Sequence, residues 1–476
     1  MSEVASQVAR NTGALVAARG VTMLLSLATT AHLTRVLGQE GFGVLGFGLA
    51  LLSYFGLVAR PGLDTLGVRT LARTPGQMRA TVSDVTSLQA ALALLAAVLY
   101  GAAVFAFPNP PRVRAALLVV GLPLLVYPFS FEWVYQGVER MGVLAVRNVV
   151  AGVVQLAGAL VLVRSAADVV PAAAVQGIAA TVAAAALYVT YRSEFGPVRF
   201  RINLPAWRAL LRESLPIAAS VFMVMVYYNL DKLMLGVLEG NAAVGLYDAA
   251  YRWVTFGLVP AGILYQAFFP TLSASLGDVG AMTTRARAYA RSNLLIGAPV
   301  AVGGALLAAP LIELLAGDAF LNAAPVLVIL MANVAVVYLN MALGQPLIAW
   351  DHQKAYMWVV GGGAIANVAL NIVLIPRFGT IGAAWATLAA EGVVLVGLAI
   401  LHWRVVGQTY VGVVLATAAA AIVGVGLPVW GGLRAGLPWG AGAVLAFPAY
   451  ALVVWAARLV RASDLRALRG APPSAP

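Results

Sequence analysis

Long apolar runs alternate with short polar segments along almost the whole chain. Each run has about 20 residues or more, the length that an α-helix needs to cross the hydrocarbon core of a bilayer. Clusters of Pro and Gly, such as residues 108–111 and 376–379, lie between runs, where helices are expected to end. The pattern predicts fourteen spanning helices, at about 12–35, 42–63, 81–107, 115–138, 142–163, 169–191, 210–238, 243–274, 289–316, 321–350, 356–375, 380–402, 409–430 and 439–460.

The composition agrees with a membrane protein. Of the 476 residues, 62% are hydrophobic and 10% are charged, whereas soluble domains carry about 25% charged residues. Helices are the expected spanning elements because they satisfy their backbone polar groups within one segment. We therefore predict an all-α polytopic membrane protein. The apolar run that begins at Asn11 is too long for the core of a signal peptide, so we interpret it as the first spanning helix.

The distribution of Lys and Arg predicts the orientation. With a cytoplasmic N-terminus, twenty of the 30 basic residues fall in cytoplasmic segments and five in outside loops. An even number of helices then places both termini in the cytoplasm. The net charge of +12 is explained by basic loops that face anionic membrane lipids. Nucleic acid is not a predicted partner, because no soluble domain presents a basic face.

Several classes of membrane protein lack support in the sequence. The longest predicted cytoplasmic connection, about residues 191–208, is too short for a soluble domain. Neither lysine lies in a GxxxxGK[ST] loop, so an ATP-driven pump is not predicted. Cys is absent, the three histidines (His32, His352 and His402) are far apart in sequence, and no HExxH occurs. We therefore predict no enzymatic activity, cofactor or metal site, and any energy that the protein uses would have to come from a gradient.

Short matches suggest an internal repeat at an offset of about two hundred residues. Val36-Leu37-Gly38 corresponds to Met234-Leu235-Gly236, Gly43-Val44-Leu45 to Gly245-Leu246-Tyr247, and Phe55-Gly56-Leu57-Val58 to Phe256-Gly257-Leu258-Val259. Repeats of six helices run parallel, as in transporters that rock two halves around a central cavity. We predict six-helix bundles at 1–200 and 201–405, two added helices at 406–462 and a cytoplasmic tail at 463–476. Alternatively, two helix hairpins pack alike without transporting anything.

Three stretches together resemble the polysaccharide-biosynthesis flippases. They are TRVLGQEGFGVLGF (34–47), NLDKLMLGVLEGNAAVGLYDAAYR (229–252) and NVALNIVLIPRFGTIGAAWATLAAE (367–391). This group includes the O-antigen and exopolysaccharide repeat-unit flippases of the multidrug/oligosaccharidyl-lipid/polysaccharide (MOP) exporter superfamily, related to the lipid II flippase and more distantly to multidrug extruders. The similarity covers about residues 11–402.

The resemblance implies a function and a location. A flippase of this kind moves undecaprenyl-pyrophosphate-linked oligosaccharide from the cytoplasmic to the outer leaflet of the bacterial inner membrane by alternating access. The oligosaccharide serves cell-surface polysaccharide such as lipopolysaccharide or exopolysaccharide. A glycan polymerase is an expected partner by family analogy alone.

Deep arginines are the candidates for binding the pyrophosphate. In the lipid II flippase such arginines come from helices 1, 2 and 8, and here Arg19, Arg60 and Arg252 lie in those helices. Arg252 lies about 13 Å below the outer end of its helix, too deep to face lipid cheaply. A guanidinium binds phosphate oxygens in a bidentate manner. Asp248, one turn earlier, either shares this site or only neutralises Arg252.

The other arginines of this group differ in their surroundings. Arg19 has no acidic residue within one helical turn, which makes it a better free anion ligand. Arg60 lies beside Asp64 and could instead reach the inner interface. Near Arg252, Tyr247, Tyr251 and Trp253 add surface for stacking on sugars or for hydrogen bonds.

Three further charged residues are candidates for coupling or gating. Asp231 and Lys232 lie near the outer end of helix 7, and Glu391 lies near the middle of helix 12 without a local basic partner. Binding of H⁺ or Na⁺ to Glu391 would couple transport to a gradient, and Asp231 and Lys232 would act as coupling or gating groups. The alternatives are an interfacial position for the first two and a structural, protonated carboxyl for Glu391.

Two other functions compete with the flippase. A cation-coupled multidrug exporter of the related extruder type would carry apolar cations and would favour an acidic cavity, which the deep arginines do not provide. A membrane glycan ligase or polymerase would need a large outside loop, and the sequence predicts none.

Overall fold

The computed structural model describes residues 2–460, with side chains from residue 18 onward except those of Pro75 and Tyr228. These residues form helices joined by short connections, without a strand in the described range. The helices are α1 (Ser2–Ala59), α2 (Leu63–Arg73), α3 (Met78–Ala106), α4 (Pro111–Gly121), α5 (Pro123–Val126), α6 (Glu132–Gly137), α7 (Met141–Leu162), α8 (Val169–Phe195), α9 (Leu204–Leu238), α10 (Asn241–Ser273), α11 (Val279–Leu306), α12 (Ala308–Ala316), α13 (Ala324–Ala349), α14 (Gln353–Val406), α15 (Val411–Ala421), α16 (Leu427–Arg434) and α17 (Trp439–Ala456).

Eleven helical segments in the described range are long and apolar enough to span a membrane, or twelve if α11 and α12 form one bent span. The all-helical, multi-spanning class predicted from the sequence is therefore confirmed. Two segments are too long for one crossing: residues 18–59 would extend about 63 Å as one straight helix, roughly twice the hydrocarbon thickness. The other is Gln353–Val406. Counting each of the two as two spans, and α11 with α12 as one, would give the predicted fourteen, and that number stays a prediction.

Both long helices are interrupted at a glycine between two predicted spans. Gly38 in α1 has φ 67° and ψ −175°, and Gly379 in α14 has φ 55° and ψ −131°. A residue with a Cβ rarely adopts these positive φ values, so glycine is the residue expected at such a break. The sequence places the same interruptions between residues 35 and 42 and between 375 and 380.

The fourth predicted span, residues 115–138, is present as a broken helix. Helices α4 and α5, a 3₁₀ turn at Tyr127–Phe129 and α6 follow one another here. Pro123 and Pro128 each lack a backbone N–H, which interrupts the hydrogen-bond ladder. Phe131 then adopts φ 47°, a left-handed conformation that is rare for an aromatic residue. A second break separates α11 from α12, which meet at a bend of 77°.

The chain divides into two compact units, Met1–Gly245 and Leu246–Pro476. In the first unit, buried side chains of α2, α3, α6 and α8 form a core that includes Trp133 and Tyr191. Helix α9 packs on α1, α2 and α3 of this unit, so the division falls after the predicted boundary at 200/201. In the second unit, Phe268, Tyr289 and Trp350 belong to the core. The six-helix bundles at 1–200 and 201–405 and the added helices at 406–462 therefore remain a proposal. The predicted tail at 463–476 lies outside the described residues.

Equivalent residues of the sequence repeat meet within the first unit. A Cβ added to Gly43 would lie 1.7 Å from the carbonyl oxygen of Asn241, and a Cβ added to Gly245 would lie 2.1 Å from that of Gln39. Gly245 follows Gly43 by 202 positions, and Asn241 follows Gln39 by the same number. The contact is therefore reciprocal between residues at equivalent positions of the sequence repeat. Two backbones approach so closely only where neither carries a side chain.

Candidate substrate-binding and coupling sites

Asp248 and Arg252 form the predicted ion pair on one face of α10. Arg252 Nη2 lies 3.4 Å from Asp248 Oδ2; the Asp248 side chain is 4% exposed and that of Arg252 is 32% exposed. The Nε of Arg252 is buried and has no hydrogen-bond partner. A guanidinium carries five N–H donors in a planar fork, and this one is held by a single long contact. The ion pair therefore leaves N–H donors of this guanidinium unused, and the side chain as a whole is partly exposed.

The aromatic residues around this pair differ in how far they are available. The Tyr247 ring is buried, its hydroxyl lies 3.2 Å from Thr387 Oγ1 in α14, and it stacks on Tyr251 at 5.9 Å between ring centroids. Tyr247 therefore helps to fix α10 in the second unit. Tyr251 and Trp253 are half-buried, and the buried Nε1 of Trp253 has no hydrogen-bond partner. These two side chains can offer stacking area and one donor.

Arg60 lies in a polar cluster at the break between α1 and α2. Its Nη1 lies 3.1 Å from Asp64 Oδ2, and its guanidinium carbon lies 4.1 Å from the centroid of the Tyr127 ring. Gln89 of α3 donates from Nε2 to the other oxygen of Asp64 at 2.8 Å. The sequence indicates the pair with Asp64. The sequence does not predict the contacts of Tyr127 with Arg60 and of Gln89 with Asp64. A glutamine in an apolar helix does, however, indicate a polar contact with another helix.

Arg19 lies exposed on α1, and no ion pair joins it to another described residue. No hydrogen bond or ion pair within the described range links it to the cluster around Arg60. The structure therefore brings Arg252 together with Asp248, and Arg60 together with Asp64, whereas Arg19 remains separate.

Two arginines that the sequence assigns to cytoplasmic segments are less exposed than expected. Arg147 of α7 pairs with Glu132 at 2.7 Å, and its Nε is buried without a hydrogen-bond partner. Arg291 lies within α11 and is 7% exposed. Burying an arginine requires compensating contacts, so both are additional candidates for a functional role. Both lie within five residues of the start of a predicted helix, so the sequence analysis counted them with the arginines at the membrane interface.

The coupling candidates lie in buried surroundings. Glu391 is buried and accepts a hydrogen bond from Asn340 Nδ2 of α13, which also donates to the Glu391 carbonyl oxygen at 3.1 Å. The Oδ1 of Asn340 is buried without a partner. Asp231 of α9 is buried and Lys232 is half-buried. Asn340 is a residue that the sequence reading missed, and an asparagine inside an apolar helix was the available signal.

The histidines make structural contacts. The Nε2 of His32 lies 3.1 Å from the carbonyl oxygen of Ala159 and 2.9 Å from that of Val163, so it donates to the last turn of α7. His402 is buried, and its Nδ1 lies 2.9 Å from the carbonyl oxygen of Leu343. In the described part of the chain, no group of three His, Cys, Asp or Glu residues could hold a metal ion.

Solved membrane transporters share this fold. The lipid II flippase MurJ in an inward closed conformation aligns with a TM-score of 0.76 at 13% identity, covering 94% of this chain and 99% of that one. An inward-facing multidrug resistance MATE transporter of the MOP superfamily aligns with a TM-score of 0.65 at 14% identity, covering 83% of this chain and 98% of that one. The chain is a multi-spanning membrane protein with the MurJ/MATE-like fold.

The sequence comparisons define the family within this fold. Residues 8–276 match the family of polysaccharide biosynthesis proteins, and the chain belongs to that family. A protein of Escherichia coli (strain K12) that is named as an O-antigen transporter is 24% identical over 400 residues, which are 80% of this chain and 93% of that protein. The resemblance inferred from the three sequence stretches is confirmed.

Proposed function

We propose that this protein is a flippase that moves undecaprenyl-pyrophosphate-linked oligosaccharides from the cytoplasmic to the outer leaflet by alternating access. Membership in the polysaccharide biosynthesis family and the MurJ-like fold support a lipid-linked sugar flippase. The observation that carries the finer proposal is Arg252, whose buried Nε has no partner beside its ion pair. No covalent bond is made or broken in this function.

The proposed binding step follows from the chemistry of the cargo. A pyrophosphate carries several anionic oxygens, and guanidinium groups bind such oxygens through charge-assisted, geometrically specific hydrogen bonds. Arg252 would bind one oxygen through N–H donors that its ion pair leaves unused, while Asp248 limits its orientation. Arg19 and Arg60 are proposed as further ligands, and Arg60 is pre-oriented by Asp64 and Tyr127. The polyprenyl chain would remain in lipid, where it needs no polar partner.

The proposed energy source is an ion gradient. Glu391 lies buried in an apolar helix beside Asn340, and an ionisable residue in a membrane span is by default a candidate for a functional role. We assign it as a coupling candidate for H⁺ or Na⁺, with Asp231 and Lys232 as gating candidates. An imposed gradient that changes the rate of flipping in the wild type, but not after substitution of Glu391, would support this assignment.

The test in cells measures where the lipid-linked oligosaccharide resides. Membranes from cells with and without the gene are compared in a strain that lacks other flippases, with an impermeant reagent that modifies only outward-facing sugars. We expect loss of the gene to leave the oligosaccharide on the cytoplasmic leaflet. If its sidedness is unchanged, the cargo is a different one.

A drug-sensitivity panel on the same strains separates the flippase from the exporter. Under the flippase proposal, loss of the gene leaves resistance to cationic drugs unchanged while surface polysaccharide disappears. Increased sensitivity to apolar cations with normal polysaccharide would favour an exporter instead.

A further inference from the structure

The first turns of α9 form a groove that the proposed transport step does not use. The groove has a volume of about 860 Å³ and is lined by Leu204, Pro205, Arg208, Ala209, Arg212 and Glu213. Arg208 and Arg212 are four residues apart and therefore lie on the same face of the helix. No ion pair joins either arginine to another described residue. This groove is called the α9 groove below.

The chain before α9 holds the groove in place. Arg201 donates from Nε and Nη2 to both carboxylate oxygens of Asp84 in α3, at 2.7 and 2.6 Å. Asn203 also donates to Asp84, and its side chain accepts from the backbone N–H of Ala206 to cap α9. A bidentate pair of this kind fixes geometry as well as charge. The groove therefore belongs to an anchored surface.

The opposite face of α9 is packed into the first unit. Trp207, Leu210 and Leu211 pack against the buried core of that unit, so Arg208 and Arg212 must point away from it. The carboxylate at the rim, Glu213, lies 3.4 Å from Arg69 and is partly neutralised by it. The charge presented by the groove is therefore positive.

An apolar stripe continues from the arginines along the same helix. Leu215 and Phe222 are exposed and lie on the side of the groove at helical spacing, and residues 204–227 form a segment apolar enough to span a membrane. At 1.5 Å per residue, Leu215 lies about 5 Å and Phe222 about 15 Å beyond Arg212 along the helix axis. Anionic oxygens near the arginines and an acyl chain along the stripe would match this surface.

We propose that the α9 groove binds one anionic glycerophospholipid of the surrounding bilayer. Its phosphate contacts Arg208 and Arg212, and an acyl chain lies along Leu215 and Phe222. None of the described residues that line the groove carries a side-chain amide, hydroxyl or aromatic group, which are the groups expected to recognise sugars. The occupant is therefore a membrane phospholipid and not the oligosaccharide-bearing cargo. The proposal does not depend on the proposed function.

The experiment measures lipid retention by the purified full-length protein. Native mass spectrometry compares dioleoyl-phosphatidylglycerol with dioleoyl-phosphatidylcholine, which has the same chains but no net charge. We expect selective retention of phosphatidylglycerol, which weakens as salt is raised. The double substitution Arg208→Gln/Arg212→Gln should lower the affinity for it by about tenfold to thirtyfold, because each basic residue contributes about 1 kcal/mol at an anionic surface.

The matched control removes the same charge elsewhere on basic, exposed segments. Arg73→Gln/Arg192→Gln should retain phosphatidylglycerol as the wild type does, and Arg208→Lys/Arg212→Lys should retain most of the binding. Equal loss in the control would show a diffuse electrostatic effect and overturn the proposal. Equal retention of phosphatidylcholine by the wild type would overturn it as well. Displacement of bound phosphatidylglycerol by undecaprenyl pyrophosphate, dependent on the same two arginines, would assign the groove to the cargo and overturn it too.

Discussion

Arg252 has the features expected of an anion ligand inside a membrane protein. It lies in an apolar helix, about a third of its side chain is exposed, and a single 3.4 Å contact holds it to Asp248. A purely structural pair would gain more from a closer, bidentate geometry, because such pairs are shorter and more specific. This loose pairing within an apolar helix makes Arg252 our first candidate for a binding role.

Substitution of Arg252 distinguishes binding from structural pairing. Arg252→Gln should lower the rate of flipping at least tenfold, because a hydrogen bond to a charged group contributes about 1.5–3 kcal/mol. Asp248→Asn leaves the guanidinium in place and should retain most of the rate. The measurement is the initial rate of flipping by protein that retains its unfolding temperature. Arg434→Gln, exposed at the end of α16, serves as the control.

The opposite pattern would contradict a binding role for Arg252. If both single substitutions lower the unfolding temperature alike and the double substitution restores it, the pair is structural.

Glu391 and Asn340 allow a test of coupling without loss of the fold. Glu391→Gln keeps an oxygen that can accept from Asn340, so we expect an unfolding temperature close to that of the wild type. The rate of flipping should lose its dependence on an imposed H⁺ or Na⁺ gradient. Asn340→Leu, which removes the donor, is the control for a purely structural effect. A gradient dependence that persists in Glu391→Gln would rule this carboxyl out.

At the scale of elements, the apolar pattern predicts most of the helices and the breaks of α1 and α14, but not the break within the fourth span. Runs of suitable length locate nearly all the spanning segments, and glycines mark the interruptions of α1 and α14. The broken segment around Pro123, Tyr127 and Phe131 was predicted as one span, because apolar content does not report the direction of a helix. Contacts between helices, such as Gln89 with Asp64 and Asn340 with Glu391, depend on how the helices pack. Their packing cannot be predicted from the hydrophobic pattern of a single sequence.

The contact between repeat-equivalent glycines carries a prediction for stability. Gly43→Ala would place a methyl group 1.7 Å from a backbone oxygen, and the backbones would have to move apart. We expect destabilisation of about 1–3 kcal/mol, in the range of other overpacking substitutions. Gly245→Ala should behave in the same way. The measurement is thermal unfolding of the purified protein in detergent.

The control for this prediction is a glycine with open space around it. Gly101 in α3 has no atom within 4 Å of an added Cβ, so Gly101→Ala should be neutral or slightly stabilising, since alanine has the higher helix propensity. Similar unfolding temperatures for Gly43→Ala and Gly101→Ala would show that the close approach does not matter.

For the whole molecule, family, fold and charge support the same interpretation. The chain belongs to the polysaccharide biosynthesis family, has the MurJ/MATE-like fold and carries a net charge of +12. The predicted placement of most basic residues on one side of the membrane, together with guanidinium groups within apolar helices, is consistent with the proposed cargo, which has an anionic head and an apolar tail. The identity of the sugars is not encoded in these general features, because sugars are recognised by details of a cavity.

The most direct test of the flippase proposal uses purified protein in proteoliposomes. Undecaprenyl-pyrophosphate-linked oligosaccharide is placed in the inner leaflet, and its arrival outside is followed with an impermeant sugar-modifying reagent. We predict transfer that requires the protein and is reduced at least tenfold by Arg252→Gln. Transfer at the rate of protein-free liposomes, with folded protein and an imposed ion gradient, would contradict the proposal that this chain flips such lipids.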